Sequence, residues 1–133
     1  MTTWDRDKVI SSINNLVDAN LKGLNLSGLD FSKSNMISAI LTSANLKGAS
    51  LVETNLFAVK AMRADFSNAN LSGANLLKAN LTRANLSGSI LKDVEMTGIN
   101  LSDADLKKAD LTRAKLIEAN LPRVDLTGAD MSE

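Results

Sequence analysis

From residue 21 onward every fifth residue of this chain but one is large and apolar, and that period constrains its fold more than any other feature. The centres run Leu21, Leu26, Phe31, Met36, Leu41, Leu46, Leu51, Leu56, Ala61, Phe66, Leu71, Leu76, Leu81, Leu86, Leu91, Met96, Leu101, Leu106, Leu111, Leu116, Leu121, Leu126 and Met131. These are 23 positions in unbroken phase, and only Ala61 is small. Two residues before each centre the chain prefers Ala, as in Ala39, Ala44, Ala64, Ala79 and Ala104, with Thr54, Val59, Ser89, Val94 and Ile99 among the exceptions. One residue before the centre it prefers Asn or Asp, as in Asn70, Asn80, Asn85 and Asp105. The unit is A-(N/D)-L-x-x.

A helix needs a period near 3.6 and a long strand a period of 2, so neither fits. The Ala and Leu positions alternate about the polar residue, which makes A-(N/D)-L a three-residue piece of strand with Ala and Leu on one face. The two x residues turn the chain. All seven glycines stand two residues after a centre, and the single proline, Pro122, stands one residue after. Pro at the first corner and Gly at the second suit a type II turn, whose second corner has positive φ. Lys, Arg, Asp or Glu at the second corner resists positive φ, so those repeats are expected to use another turn. Short strands and turns with one face always inward close a solenoid, its coils pairing at a rung spacing of ~4.8 Å.

Long, in-phase A-(N/D)-L-x-x from residue 21 to 131 resembles the pentapeptide-repeat family over nearly the whole chain. The resemblance implies an all-β solenoid, a right-handed quadrilateral β-helix with four repeats per coil. The repeats then make just under six coils, a rod roughly 27 Å long at the usual rung spacing. Leu46, Leu71, Leu76, Leu81, Leu86 and Leu106 are typical core centres. Small members of the family are abundant in cyanobacteria, which suggests such an origin.

The first 18 residues read differently. Residues 3–18 pattern as an amphipathic helix, with Thr3 as N-cap, Asp5 and Asp7 in the first turn, and Val9, Ile10, Ile13, Leu16 and Val17 on one side. The expected organisation is one domain, a capping helix over 1–18 and the β-helix over 19–133. The C-terminal coil carries no such lid and is a candidate contact for a homodimer.

Composition excludes several functions. Lys plus Arg and Asp plus Glu are 15 each, so the surplus of basic charge that a nucleic-acid binder needs is missing. There is no Cys and no His, which removes disulfides, the usual zinc sites and histidine-based catalysis. No cofactor is expected. No apolar run approaches the ~18 residues of a membrane span, and the N-terminus lacks an export pattern, so no membrane role and a cytoplasmic location are expected. Asp103, Asp105 and Asp125 are the only notable carboxylate grouping, and a convex rod offers no pocket in which to use them. The chain reads as a non-enzyme.

Four repeats per coil stack residues 20 apart, which sorts the surface by side. The side centred on Leu21, Leu41, Ala61, Leu81, Leu101 and Leu121 carries Lys22, Lys60, Arg63, Arg83 and Arg123 against Asp103. The side centred on Phe31, Leu51, Leu71, Leu91, Leu111 and Met131 carries Asp30, Glu53, Asp93, Asp110, Asp130 and Glu133 against Lys33, Lys92 and Arg113. A third side places Ile37, Phe57, Leu77, Thr97 and Ile117 outward after its centres, with Val52 and Met62 outward nearby, and the small centre Ala61 in that coil marks either a bulge or only a smaller core residue. Ile37, Phe57, Leu77, Ile117, Val52 and Met62 are the candidate partner-binding residues, since apolar patches on polar surfaces tend to mark interfaces. The expected function is a non-catalytic protein-interaction module acting on an unidentified protein or on a second copy. Two alternatives follow: a purely structural domain, and mimicry of DNA toward a type II topoisomerase, which the resemblance implies for some family members and which requires a strongly acidic surface.

Overall fold

A computed structural model describes residues 3–133. Parallel bridges join the middle residue of each short strand to the one 20 positions on, from Asn15↔Asn35 to Asp110↔Asp130, without a break. Each coil therefore consumes four pentapeptides, and the four sides stack in register along the rod.

The interior follows from the five-residue unit. Every centre from Leu16 to Leu111 is buried, as is nearly every small residue two positions before it. At two polar inner positions the side chain bonds a backbone carbonyl: Thr54 Oγ1 donates to that of Phe31 at 2.7 Å, and Ser89 Oγ to that of Leu86 at 2.6 Å. Ala61 is fully buried and its coil is regular, so it is a smaller core residue and not a bulge: its amide donates to the Asn80 carbonyl at 2.8 Å, like its counterparts Leu21, Leu41, Leu81 and Leu101 to theirs. A smaller core residue leaves the backbone register unchanged because that register is set by hydrogen bonds to the neighbouring coils.

Accounting for one repeat explains its consensus. Take Ala44–Gly48. The Ala44 amide closes the turn onto the Leu41 carbonyl at 2.9 Å. The Asn45 amide donates back one coil to the Leu24 carbonyl, and the Leu46 amide donates forward to the Asp65 carbonyl. The Gly48 amide donates forward to the Ser67 carbonyl, stacking corner on corner. One amide is left, that of Lys47, and Asn45 Oδ1 accepts it at 3.0 Å. The Asn or Asp of the consensus is thus the acceptor for the one backbone donor that the coils cannot satisfy, an Asx turn repeated along the rod. Ser or Thr at the first corner adds a second bond to the same oxygen, as Ser87 Oγ does to Asn85 Oδ1 at 2.7 Å.

The corners correct one expectation. All second corners from Asp18 to Gly128 adopt positive φ: the seven glycines at 65 to 73°, and sixteen other residues, Lys, Arg, Asp and Glu among them, at 54 to 63°. A left-handed non-glycine residue costs about 1–2 kcal/mol. It is retained because another turn would pull the corner amide off the next coil, as at Arg63, whose amide donates to the Thr82 carbonyl at 3.0 Å. Register with the neighbouring coils outweighs the local preference of a charged residue.

The N-terminal helix is also shorter than its pattern suggested. α1 spans Arg6–Ser11, and Asp5, not Thr3, is the N-cap, accepting from the Lys8 amide at 2.8 Å. The chain leaves the helix early because Leu16 is itself a centre: its amide donates to the Asn35 carbonyl at 2.7 Å, so coil one begins before residue 19. Val9 is fully buried beneath that coil, with Trp4 and Ile13 packed beside it, while Ile10 and Val17 face outward. Arg6 donates to the carbonyls of Asn25 and Ser27 at 2.9 and 3.1 Å, supplying donors to an edge that no earlier coil pairs.

The acceptor argument makes a stability prediction. Asn85→Ala removes the partner of both the Ser87 amide and its hydroxyl and is expected to lose about 1–2 kcal/mol in urea unfolding. Ile90→Asn gives the Lys92 amide the acceptor it lacks and is expected to gain up to about 1 kcal/mol. If both substitutions proved neutral, the side-chain acceptor would be incidental to the fold.

Candidate interaction surface

The apolar column lies along one side of the rod, where stacked corners are held by hydrogen bonds of 2.9–3.1 Å. Its rungs are Val17, Ile37, Phe57, Leu77, Thr97 and Ile117. Ile37, Phe57 and Leu77 are half-buried, whereas Val17 and Ile117 are 41% and 63% exposed. The run is therefore a low ridge, half-buried in its middle and open at its two ends. Val17 extends it by one rung and was missed in the sequence because residues 3–18 read as helix. Val52 and Met62 do not join it. They are first corners of the two adjoining sides, Val52 half-buried and Met62 40% exposed.

The two charged sides differ more than their residue counts suggest. On the acidic side Arg113 holds Asp93 through two bonds, at 2.7 and 2.8 Å. Lys92 lies 3.3 Å from Asp110 and Lys33 3.9 Å from Glu53. All three cations of that side thus neutralise its own carboxylates, leaving Asp30, Asp130 and Glu133 without an ion pair among the described residues. On the basic side Arg123 grips Asp103, while Lys22, Lys60, Arg63 and Arg83 have no ion-pair partner among the described residues. The carboxylates grouped in the sequence, Asp103, Asp105 and Asp125, are tied down as well. Asp105 and Asp125 are paired one coil apart, with Lys107 Nζ between them at 3.7 and 3.5 Å.

Several carboxyls are held below their ordinary range. Bonds from Arg113 and Arg123 do this for Asp93 and Asp103. For Asp30, Asp110, Asp125 and Glu95 the leading cause is the corner hydroxyl of Ser32, Thr112, Thr127 or Thr97. Among the described residues, no group of three His, Cys, Asp or Glu is placed to hold a metal ion, and no helix is long and apolar enough to cross a membrane.

The profile of the family described as pentapeptide repeats matches eight copies, over residues 15–56, 62–98 and 95–132. The chain belongs to the pentapeptide-repeat family. Its fold is the right-handed quadrilateral β-helix of that family, here with one short helix at the N-terminus. The chain is similar to the pentapeptide-repeat protein Rfr23 of the cyanobacterium Cyanothece 51142, at 24% identity and a TM-score of 0.62, covering 95% of this chain and 97% of that one. It is also similar to full-length QnrB1, a plasmid-mediated fluoroquinolone resistance protein, at 20% identity and a TM-score of 0.56, covering 90% and 73%. At these identities the likeness is one of fold. No curated protein matches the chain.

The depressed carboxyls give this pentapeptide-repeat protein an acid limit. Their folded values lie below the unfolded one, 3.8 for Asp, so their contribution is complete above about pH 4 and is lost as pH falls through the folded values. The urea midpoint is expected to hold steady from pH 7 to 5 and to fall progressively below about pH 4. A midpoint unchanged down to pH 2 would contradict these bonds.

Proposed function

We propose that this protein is a non-catalytic, cytoplasmic interaction module and that a protein partner docks along the apolar ridge. The observation that carries the reading is the column Val17–Ile37–Phe57–Leu77, four consecutive apolar rungs at a corner position that elsewhere is mostly Ser, Thr or Lys. A ridge on a rigid scaffold fits a groove at little entropic cost, because the coils are already ordered before contact. Ile117 and the flanking Val52 and Met62 then serve the edges of such a contact, not its centre.

The pairing of the charged sides argues against DNA mimicry as the main function. A DNA mimic presents unneutralised acidic charge, and here half of the acidic side chains on that side already have a cation beside them. A second copy of the chain is the alternative occupant of the ridge.

The test compares wild type with Phe57→Asp and Phe57→Leu as bait in host lysate, alongside sedimentation of each. A partner kept by wild type and Phe57→Leu but lost by Phe57→Asp is the expected result. Concentration-dependent dimers abolished by Phe57→Asp would assign the ridge to self-association. Equal capture by all three would move function off the ridge.

A further inference from the structure

The consensus acceptor is missing at two successive rungs of the basic side. Ile40 and Lys60 stand where Asn or Asp ordinarily accepts the next corner's amide. The amides of Thr42 and Met62 consequently have no acceptor among the described residues, and neither does the Thr42 hydroxyl. The two corners are adjacent rungs, the Ser43 amide donating to the Met62 carbonyl at 2.9 Å. At Val52, Lys92 and Ile117, where the acceptor is also absent, no neighbouring rung of the same side lacks it.

The same place carries the unpaired guanidinium groups. Arg63 and Arg83 are the second corners of successive rungs, their backbones joined through the Thr82 carbonyl at 3.0 Å, so they start one rung, ~4.8 Å, apart. A groove of about 410 Å³ runs over these corners and is lined by Thr42, Met62, Arg63, Thr82 and Arg83. Asp103 closes its far end, where it is bonded to Arg123 and also lies within coulombic reach of Arg83 without forming a salt bridge to it. The Thr82 hydroxyl is spent on Asn80 Oδ1. What the lining leaves without a hydrogen-bond or ion-pair partner is one-sided: the amides of Thr42 and Met62, the Thr42 hydroxyl and the guanidiniums of Arg63 and Arg83.

We infer that this groove is a binding site for a phosphate-class oxyanion carried by a small molecule. Several donors spread over two rungs need a ligand with three or more acceptor oxygens, and guanidinium groups grip such oxygens two at a time. A carboxylate, with two oxygens, would leave donors unmet. The inference does not depend on the apolar ridge, which lies on a different side.

The test is a titration of the full chain followed by ¹⁵N–¹H correlation spectra, with inorganic phosphate against sodium chloride at matched ionic strength. The expected result is saturable shifts of the Thr42 and Met62 amides and of the Arg63 and Arg83 Nε–H groups with phosphate only. Arg63→Gln with Arg83→Gln should weaken binding at least about tenfold. Ile40→Asn, which fills the open amide without touching a charge, should weaken it several-fold while leaving the fold at least as stable, so loss of binding cannot be mistaken for loss of structure. A nucleoside 5′-monophosphate binding more than about tenfold tighter than phosphate would identify a nucleotide as the carrier, and equal affinity would assign the site to the phosphate group alone. Shifts that merely follow ionic strength, or that saturate unchanged in the double variant, would overturn the proposal.

Discussion

Each coil is held to the next by hydrogen bonds reaching about 20 residues along the chain, and the remaining features of the rod follow from keeping that ladder intact. A backbone wound into short strands and tight corners has few local partners. The ladder gives three of every five amides an acceptor on a neighbouring coil, the turn takes a fourth, and the outward Asn or Asp takes the fifth. Because the same five positions recur, one conformation must serve every corner. Sixteen non-glycine residues accept left-handed φ on those terms. The cost at each is local, whereas breaking register would unpair donors along a whole column.

The interior was legible in the sequence because side-chain direction in a short strand follows directly from the period. The centres and the small residues before them occupy the core where the spacing put them, and even Ala61 keeps the pattern. Legibility ended where two rules competed. Positive φ at Lys, Arg, Asp and Glu contradicts their single-residue preferences, and only the pairing of corner to corner explains it. The helix boundary was misread for a related reason: Leu16 fits both an amphipathic helix and the first centre of the β-helix, and the bond to the Asn35 carbonyl decides between them.

The surface was legible in part. Column membership follows from the 20-residue stack, so the sequence alone places Ile37, Phe57 and Leu77 on one side. The separation of Val52 and Met62 onto neighbouring sides follows from the same register, yet it is easily missed when residues are grouped by nearness in sequence. Charge balance by side was readable, but its meaning was not. Cations of the acidic side fold onto their own carboxylates, whereas Arg63 and Arg83 form no salt bridge among the described residues, and this depends on which rung each charge occupies. The unpaired donors at Thr42 and Met62 were invisible until the work of the consensus Asn was known. Once that role is understood, Ile40 and Lys60 become readable as missing acceptors.

The measurement that bears most directly on this account is amide hydrogen exchange of the native protein, resolved residue by residue. Amides after a consensus acceptor, such as those of Lys47, Thr82 and Ser87, should be protected alongside the ladder amides of their coils. Those of Thr42, Met62 and Lys92, in the same middle coils, should exchange much faster. Uniform protection at all first corners would contradict the claim that a side-chain acceptor completes the backbone of each repeat.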